Sequence, residues 1–172
     1  MLRRSDSTLA TGVPDGPILS QVGHVAEVVR KETIGSYLSA REANTHKHQA
    51  GNVLVIAGSA GKLGAALLTA RAAMRSGAGL VTICTWPDAV SALESRVVEI
   101  MTARLDPANL EASIDEALAG RHTVAIGPGI GLDDKARRAV DHVVLGWEGL
   151  KVVDADALTL FVGRADALAG QA

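Results

Sequence analysis

The sequence predicts an α/β fold with a mainly parallel sheet of about five strands, and three observations carry this. From Asn52 onward, short apolar runs alternate with longer stretches of helical composition, the pattern of consecutive βαβ units. The first of these runs is continuous and β-branched, as a strand covered on both faces requires. Glycine clusters stand where several runs end. Loops at the carboxyl ends of parallel strands share one edge of the sheet, so a site is to be sought there.

Residues 1–45 precede the pattern and read as an arm or linker. They are polar and poorly periodic, and Gly12, Pro14, Gly16 and Pro17 interrupt any regular element, although 22–38 has room for a helix. Residues 1–6 carry paired arginines, Arg3 and Arg4, with no apolar core behind them, so they read as a chain end rather than an export signal.

The elements then follow in order. Val53-Leu54-Val55-Ile56-Ala57 is the first strand. Residues 65–76 are rich in Ala and Leu and predict a helix, stopped by Gly77-Ala78-Gly79. Strands follow at 80–84, 97–103, 123–126 and 151–153, with helices at 89–95, 109–119 and from Asp133-Asp134 to about 144. Asp133 and Asp134 offer a cap and favourable charge to that last helix. In 109–119 the acidic Glu111, Asp115 and Glu116 fall on the exposed side. No repeat or low-complexity tract interrupts the series.

Bulk properties restrict function. A chain of 172 residues with 48% hydrophobic and 21% charged residues suits one soluble domain. A net charge of -2 and a pI near 6.2 argue against nucleic acid or an anionic membrane as partner. No run reaches the length of a membrane span. The single cysteine, Cys84, cannot form an internal disulfide, which makes the cytoplasm the default location. Aromatic residues are 2% of the chain, too few for stacking on bases.

Three loops carry candidate chemistry. Gly58-Ser59-Ala60-Gly61-Lys62-Leu63-Gly64 follows the first strand and opens a helix whose free amides favour an anion. Glycine permits close backbone approach, Ser59 can donate a hydrogen bond, and Lys62 supplies a point charge. An ordinary tight turn would look the same. The Walker A spacing fails, because Gly58 stands at the wrong distance from Gly61-Lys62 and Leu63 replaces Ser or Thr. Gly58, Gly61 and Gly64 resemble the nucleotide loop of extended short-chain dehydrogenases, but the second strand ends at Cys84-Thr85 without an acidic residue and no Tyr-x-x-x-Lys pair is present.

The second loop, Gly127-Pro128-Gly129-Ile130-Gly131, exposes backbone amides suited to a flat ligand or a phosphate. The third, Asp154-Ala155-Asp156-Ala157-Leu158, places two carboxylates at a strand end, able to hold a cation, orient a base or accept from ligand hydroxyls. The alternative is that Asp156 caps a helix starting near Ala157 while Asp154 pairs with a loop amide. His46-Lys47-His48 lacks the Cys or carboxylate company of a metal site, and a phosphate contact from Lys47 is the better reading. Cys84 reads as buried strand.

Taken in order, His46-Lys47, residues 53–59, Gly64-Ala65-Ala66-Leu67-Leu68, Arg75-Ser76-Gly77-Ala78-Gly79-Leu80-Val81, Gly127-Pro128-Gly129-Ile130-Gly131 and Asp154-Ala155-Asp156-Ala157-Leu158 resemble the NAD(P)H-hydrate dehydratase family over residues 46–172. The resemblance implies a three-layer αβα ribokinase-like sandwich on a mainly parallel sheet, truncated after about five strands, of which 46–172 is the N-terminal half. It implies dehydration of the S form of hydrated NADH or NADPH at the expense of ADP, or of ATP, with Mg²⁺, through phosphorylation of the hydrate hydroxyl and loss of phosphate. Carried over by motif, Ala65 and Gly129 contact the hydrated dinucleotide, and Gly58, Ser59, Gly64 and Asp156 line the same pocket. Lys47, Lys62, Gly127, Gly131 and Asp154 are assigned weaker nucleotide or phosphate contacts.

Thr11-Gly12-Val13-Pro14 resembles the segment closing the epimerase domain of bifunctional members, which links the chain functionally to an epimerase. Two departures stand out. His48 replaces the Gly that follows His-Lys in the family. The later Pro-His segment, the lysine region and the Gly-x-Gly-Asp motif with the catalytic Asp are missing, so no catalytic residue is assigned and the chain alone is expected to be inactive. A fragment of a vitamin-precursor kinase of ribokinase-like fold and a non-catalytic dinucleotide-binding module stay open as alternatives, as does a homo-oligomer.

Overall fold

A computed structural model describes residues 31–35 and 50–170. The chain divides into two compact units, 1–42 and 43–172. The first is described only by a short helix, α1 (Lys31–Gly35), within the stretch where the sequence left room for one. Thr11-Gly12-Val13-Pro14 and His46-Lys47-His48, with the phosphate contact expected of Lys47, lie outside the described residues.

The second unit runs β1 (Asn52–Ile56), α2 (Leu63–Arg75), β2 (Leu80–Thr85), α3 (Pro87–Glu94), β3 (Met101–Arg104), α4 (Leu110–Leu118), β4 (Thr123–Ile126), α5 (Asp134–Gly146), β5 (Leu150–Val153) and α6 (Asp156–Leu160), then a 3-10 turn at Ala165–Leu168. The expected terminators act where they stand. After α2, Gly77 takes φ +109, and the Gly77 and Ala78 amides donate back to Met74 and Ala73. Pro87 opens α3, and Asp133 caps α5 by accepting from the Ala136 amide at 3.0 Å.

All five strands are parallel, in the order β3-β2-β1-β4-β5. The chain starts at the central β1, steps outward to β2 and β3, then returns past β1 to β4 and β5. This reversal puts α2 and α3 on one face and α4 and α5 on the other. Leu54 and Ile56 pack with Val124, Ile126, Ile114 and Val140 on the second side. Val55 and Ala57 pack with Ala66, Ala70 and Leu93 on the first. Each fully buried branched side chain contributes about 1.5–3 kcal/mol, so β1 is the anchor of the sheet.

One expectation needs correction. The third strand was expected at 97–103, but only Met101–Arg104 find partners, opposite Thr82–Thr85 of β2. Pairing decides the strand, not the apolar run, and Val98 is left exposed. As expected, Asp115 and Glu116 are exposed and Glu111 is half-buried, and two of them also pair with α5: Glu111 meets Arg138 at 2.8 Å and Asp115 meets His142 at 2.7 Å.

Polar groups at the amino ends of the strands are satisfied. Arg121 donates to Asn52 Oδ1 at 2.7 Å, Thr82 Oγ1 at 2.9 Å and the Ala117 carbonyl at 2.8 Å. Among the described residues no buried side-chain N or O atom lacks a partner.

Candidate functional site

The strand order reverses between β1 and β4, and in open α/β sheets the crevice at the carboxyl ends of such a pair is where ligands sit. The first two glycine loops leave the sheet here, side by side, with the third beside them after β5.

The first loop is tied to the second from both ends. Gly58 lies at φ +79, and a Cβ there would meet Ala66 Cβ at 3.1 Å, so the loop bends close over α2. Its amide donates to the Pro128 carbonyl at 2.9 Å. Ser59 Oγ donates to the Gly129 carbonyl at 2.8 Å. The Ser59 proton is therefore committed within the protein, and a ligand meets only the oxygen's lone pairs. Lys62 precedes α2 without a side-chain cap, so the amides of Leu63 and Gly64 open the helix at the loop, while that of Ala65 donates back to the Lys62 carbonyl at 3.2 Å. Gly64 is open, with no atom within 4 Å of the place its Cβ would take.

The second loop folds onto the first. At Gly129, φ +69, a Cβ would lie 3.0 Å from Lys62 Cβ and 3.3 Å from Ala65 Cβ. Ala65 and Gly129 are thus in contact across the crevice floor. Gly127, φ +124, is buried, and its Cβ would sit 1.9 Å from the Asp154 carbonyl and 2.7 Å from Ala157 Cβ. Its lack of a side chain is a packing requirement of the third loop.

The third loop separates its two carboxylates. Ala155 has φ 48 and ψ -118, and it is the one non-glycine residue at positive φ among those described; that conformation is costly for a residue with a Cβ. Asp154 is exposed, and its backbone serves the Ile126 carbonyl and the Ala157 amide. Asp156 is the first residue of α6 rather than its cap. Its Oδ2 accepts from Lys62 Nζ at 3.2 Å and from the Gly131 amide at 3.0 Å. The alternative reading of Asp156 as a helix cap is overturned: the carboxylate bridges the other two loops instead. Nor do the two acids share one strand face, because β5 ends at Val153.

The structure therefore assembles Gly58, Ser59, Lys62, Ala65, Gly129, Gly131 and Asp156 around one crevice, with Gly64 at its rim, Gly127 beneath it and Asp154 to the side. Two residues escaped the sequence reading. Thr85 Oγ1 donates to the Gly58 carbonyl at 3.0 Å, and Trp86 Nε1 donates to the Ile130 carbonyl at 2.8 Å with Lys135 stacked over its ring at 4.6 Å. The end of β2 thus buttresses both glycine loops. A buried Trp at a strand end in a chain with so few aromatics was the available signal.

Cys84 takes no part. It is fully buried on β2, and burial pushes its thiol up to about 12, which suppresses the nucleophilic thiolate. A cavity of about 520 Å³ lies between Leu145, Trp147, Leu150 and Gly170, at the amino end of β5 and away from the loops. Its one cation, Lys151, is turned onto the carbonyls of Val144 and Trp147.

Comparison with known proteins follows this geometry. A family model described as NAD(P)H-hydrate dehydratase matches residues 53–170. The ADP-dependent (S)-NAD(P)H-hydrate dehydratase of Staphylococcus aureus is 35% identical over 136 residues, which cover 77% of this chain and 48% of that protein. The bifunctional NAD(P)H-hydrate repair enzyme of Vibrio cholerae is 37% identical over 123 residues, 72% of this chain and 24% of that one. Among solved structures, the ADP/ATP-dependent NAD(P)H-hydrate dehydratase of Bacillus subtilis, co-crystallised with ATP and Mg²⁺, superposes with a TM-score of 0.62 at 32% identity, over 75% of this chain and 46% of that one. A ribokinase-like protein of Enterococcus faecalis gives 0.64 at 27% identity, over 73% and 44%. The chain spans about half the length of the single-function relatives it matches and about a quarter of the bifunctional ones.

Proposed function

Because the chain belongs to the NAD(P)H-hydrate dehydratase family, we propose that its second unit forms the substrate-facing half of a cleft in which the S form of hydrated NADH or NADPH is dehydrated at the expense of ADP or ATP. The observation that carries this reading is the contact of Ala65 with Gly129 across the strand-order reversal, 3.3 Å from the Cβ that glycine lacks. A small residue facing a bare backbone leaves a flat floor for a planar ring.

In this reading the hydrate hydroxyl, a poor leaving group, accepts a phosphoryl group; the C–O bond then breaks as phosphate departs with the electron pair, and a neighbouring ring proton is lost to restore the ring. Ala65, Gly129 and the Gly58-Ser59 turn support the ring. The opening amides of α2 and Lys62 face the anionic phosphates. Catalysis of phosphoryl transfer rests on positioning and charge stabilisation, and the described residues offer neither a base at the floor nor a second wall. The described residues also hold no cluster of three His, Cys, Asp or Glu groups, so a Mg²⁺ ion belongs with the nucleotide's phosphates in this scheme.

The bifunctional relatives support a functional link to an epimerase that supplies the S form. No helix among the described residues is long and apolar enough to cross a membrane, in keeping with the cytoplasmic location we propose. Titration calorimetry of the 172-residue chain with NADH and with ADP is expected to show binding, while NADH absorbance does not recover from its hydrate with ADP and Mg²⁺ present. Recovery would overturn the half-cleft reading; absence of binding to either compound would overturn the substrate-facing assignment.

A further inference from the structure

Among the described residues, Asp156 lies outside both glycine loops and its side chain hydrogen-bonds to each of them, through a single oxygen. Oδ2 accepts from Lys62 Nζ of the first loop at 3.2 Å and from the Gly131 amide of the second at 3.0 Å. The two contacts differ in environment. The Lys62 side chain is 53% exposed and that of Asp156 20%, so the ion pair is screened and readily exchanged. The amide contact, to a charged acceptor, is part-buried.

We propose that Asp156 is a positioning residue, which holds the Gly131 turn against the first loop and keeps Lys62 parked until an anionic ligand takes it. The inference rests on the dinucleotide reading for the ligand's identity, but not for the latch itself. The ligand class is a diphosphate-bearing nucleotide, whose charge exceeds that of one carboxylate. When such a group arrives at the opening of α2, Lys62 leaves Asp156, and the freed oxygen tightens on the Gly131 amide. Binding at the first loop thereby stiffens the second. A carboxylate that merely touched the ligand would repel its phosphates and would carry no such coupling.

The sharing of one oxygen makes the test directional. In two-dimensional amide NMR spectra of the full chain without ligand, Asp156→Asn should weaken the Gly131 hydrogen bond and move its amide proton upfield. Lys62→Met, which leaves Asp156 to Gly131 alone, should move it downfield. NADH added to the parent chain should shift it in the same direction as Lys62→Met. An unmoved Gly131 amide in both variants, or movement of both in one direction, would overturn the latch.

Affinity for NADH supplies the second arm. Lys62→Met should cost more in the Asp156→Asn background than in the parent by roughly two- to fivefold, the size of an exposed ion pair, because the lysine there has no partner to give up. Strict additivity would overturn the proposal. If the parent chain fails to bind NADH, the dinucleotide reading falls, and the opposed shifts of the Gly131 amide still decide the role of Asp156.

Discussion

One row of side chains crosses the sheet in register, Ile83, Val55, Ala125 and Val152, and its two ends live in different worlds. Ile83 and Val55 are fully buried beneath α2 and α3. Val152, two strands away from Val55, is 58% exposed, and its neighbour Leu150 is 75% exposed, with no described helix over them. On the other face the same outer strand is better covered, since Val153 is partly buried against the cluster of α4, α5 and α6. The centre of the sheet, where the loops diverge, is thus specified by its own packing. At the β5 flank apolar residues stand without the burial that would make them stabilising.

The sharpest way to break this contrast is to add atoms at the centre. Gly127→Ala places a Cβ 1.9 Å from the Asp154 carbonyl at φ +124, so backbone must move. A loss of about 4 kcal/mol is expected, among the largest single-residue effects, read as a lowered midpoint in urea unfolding. A loss under about 1 kcal/mol would mean that the second and third loops are not packed as described. Next comes Trp86→Phe, which trims the fully buried indole to a phenyl ring and removes the N–H that the Ile130 carbonyl accepts from. It should cost about 2 kcal/mol, and the Ile130 amide neighbourhood should exchange with deuterium faster than that of β5.

What the sequence disclosed follows the same division. The runs at 53–57 and 123–126 were legible as strands because buried parallel strands need continuous apolar side chains, and the structure shifts the first by one position and keeps the second. The reversal of strand order was not legible, since nothing local to Thr123 says that it pairs with Val53. The edge strand β3 was misplaced because Val97 and Val98 carry strand-like side chains but no partner. At the site, glycine signalled close approach at Gly58, Gly127 and Gly129, but not what approaches. Trp86 and Ile130 lie 44 residues apart, and Lys62 and Asp156 lie 94 apart. Such pairs are products of topology, which is why the residues around Asp156 left a helix cap open beside its place in the pocket.

Cys84 gives a smaller, kinetic measure of how closed the centre is. Burial raises its thiol from 9.0 to about 12, so between those values the unfolded chain loses a proton that the folded chain keeps. Its contribution to stability is whole below pH 9 and falls as pH rises towards 12. At pH 8 alkylation by iodoacetamide should proceed only as fast as the fold opens, and should accelerate when urea approaches the unfolding midpoint. Rapid labelling of the native chain at pH 8 would show that β2 is not sealed.

The smallest effect tests the flank, and it is informative only beside its twin. Val→Thr exchanges a methyl for a hydroxyl at nearly constant shape, so its cost measures whether water can reach the position. At Val55 the hydroxyl would be sealed between β1 and α2, and about 2 kcal/mol should be lost. At Val152 the same exchange should change stability by less than about 0.5 kcal/mol, because the new hydroxyl keeps its water. Both side chains point to one face of the sheet and lie in one row, so propensity and strand pairing largely cancel between them. Equal costs at the two sites would mean that Val152 is covered in solution, and the contrast between centre and flank would then belong to these 121 described positions of the second unit rather than to the folded protein.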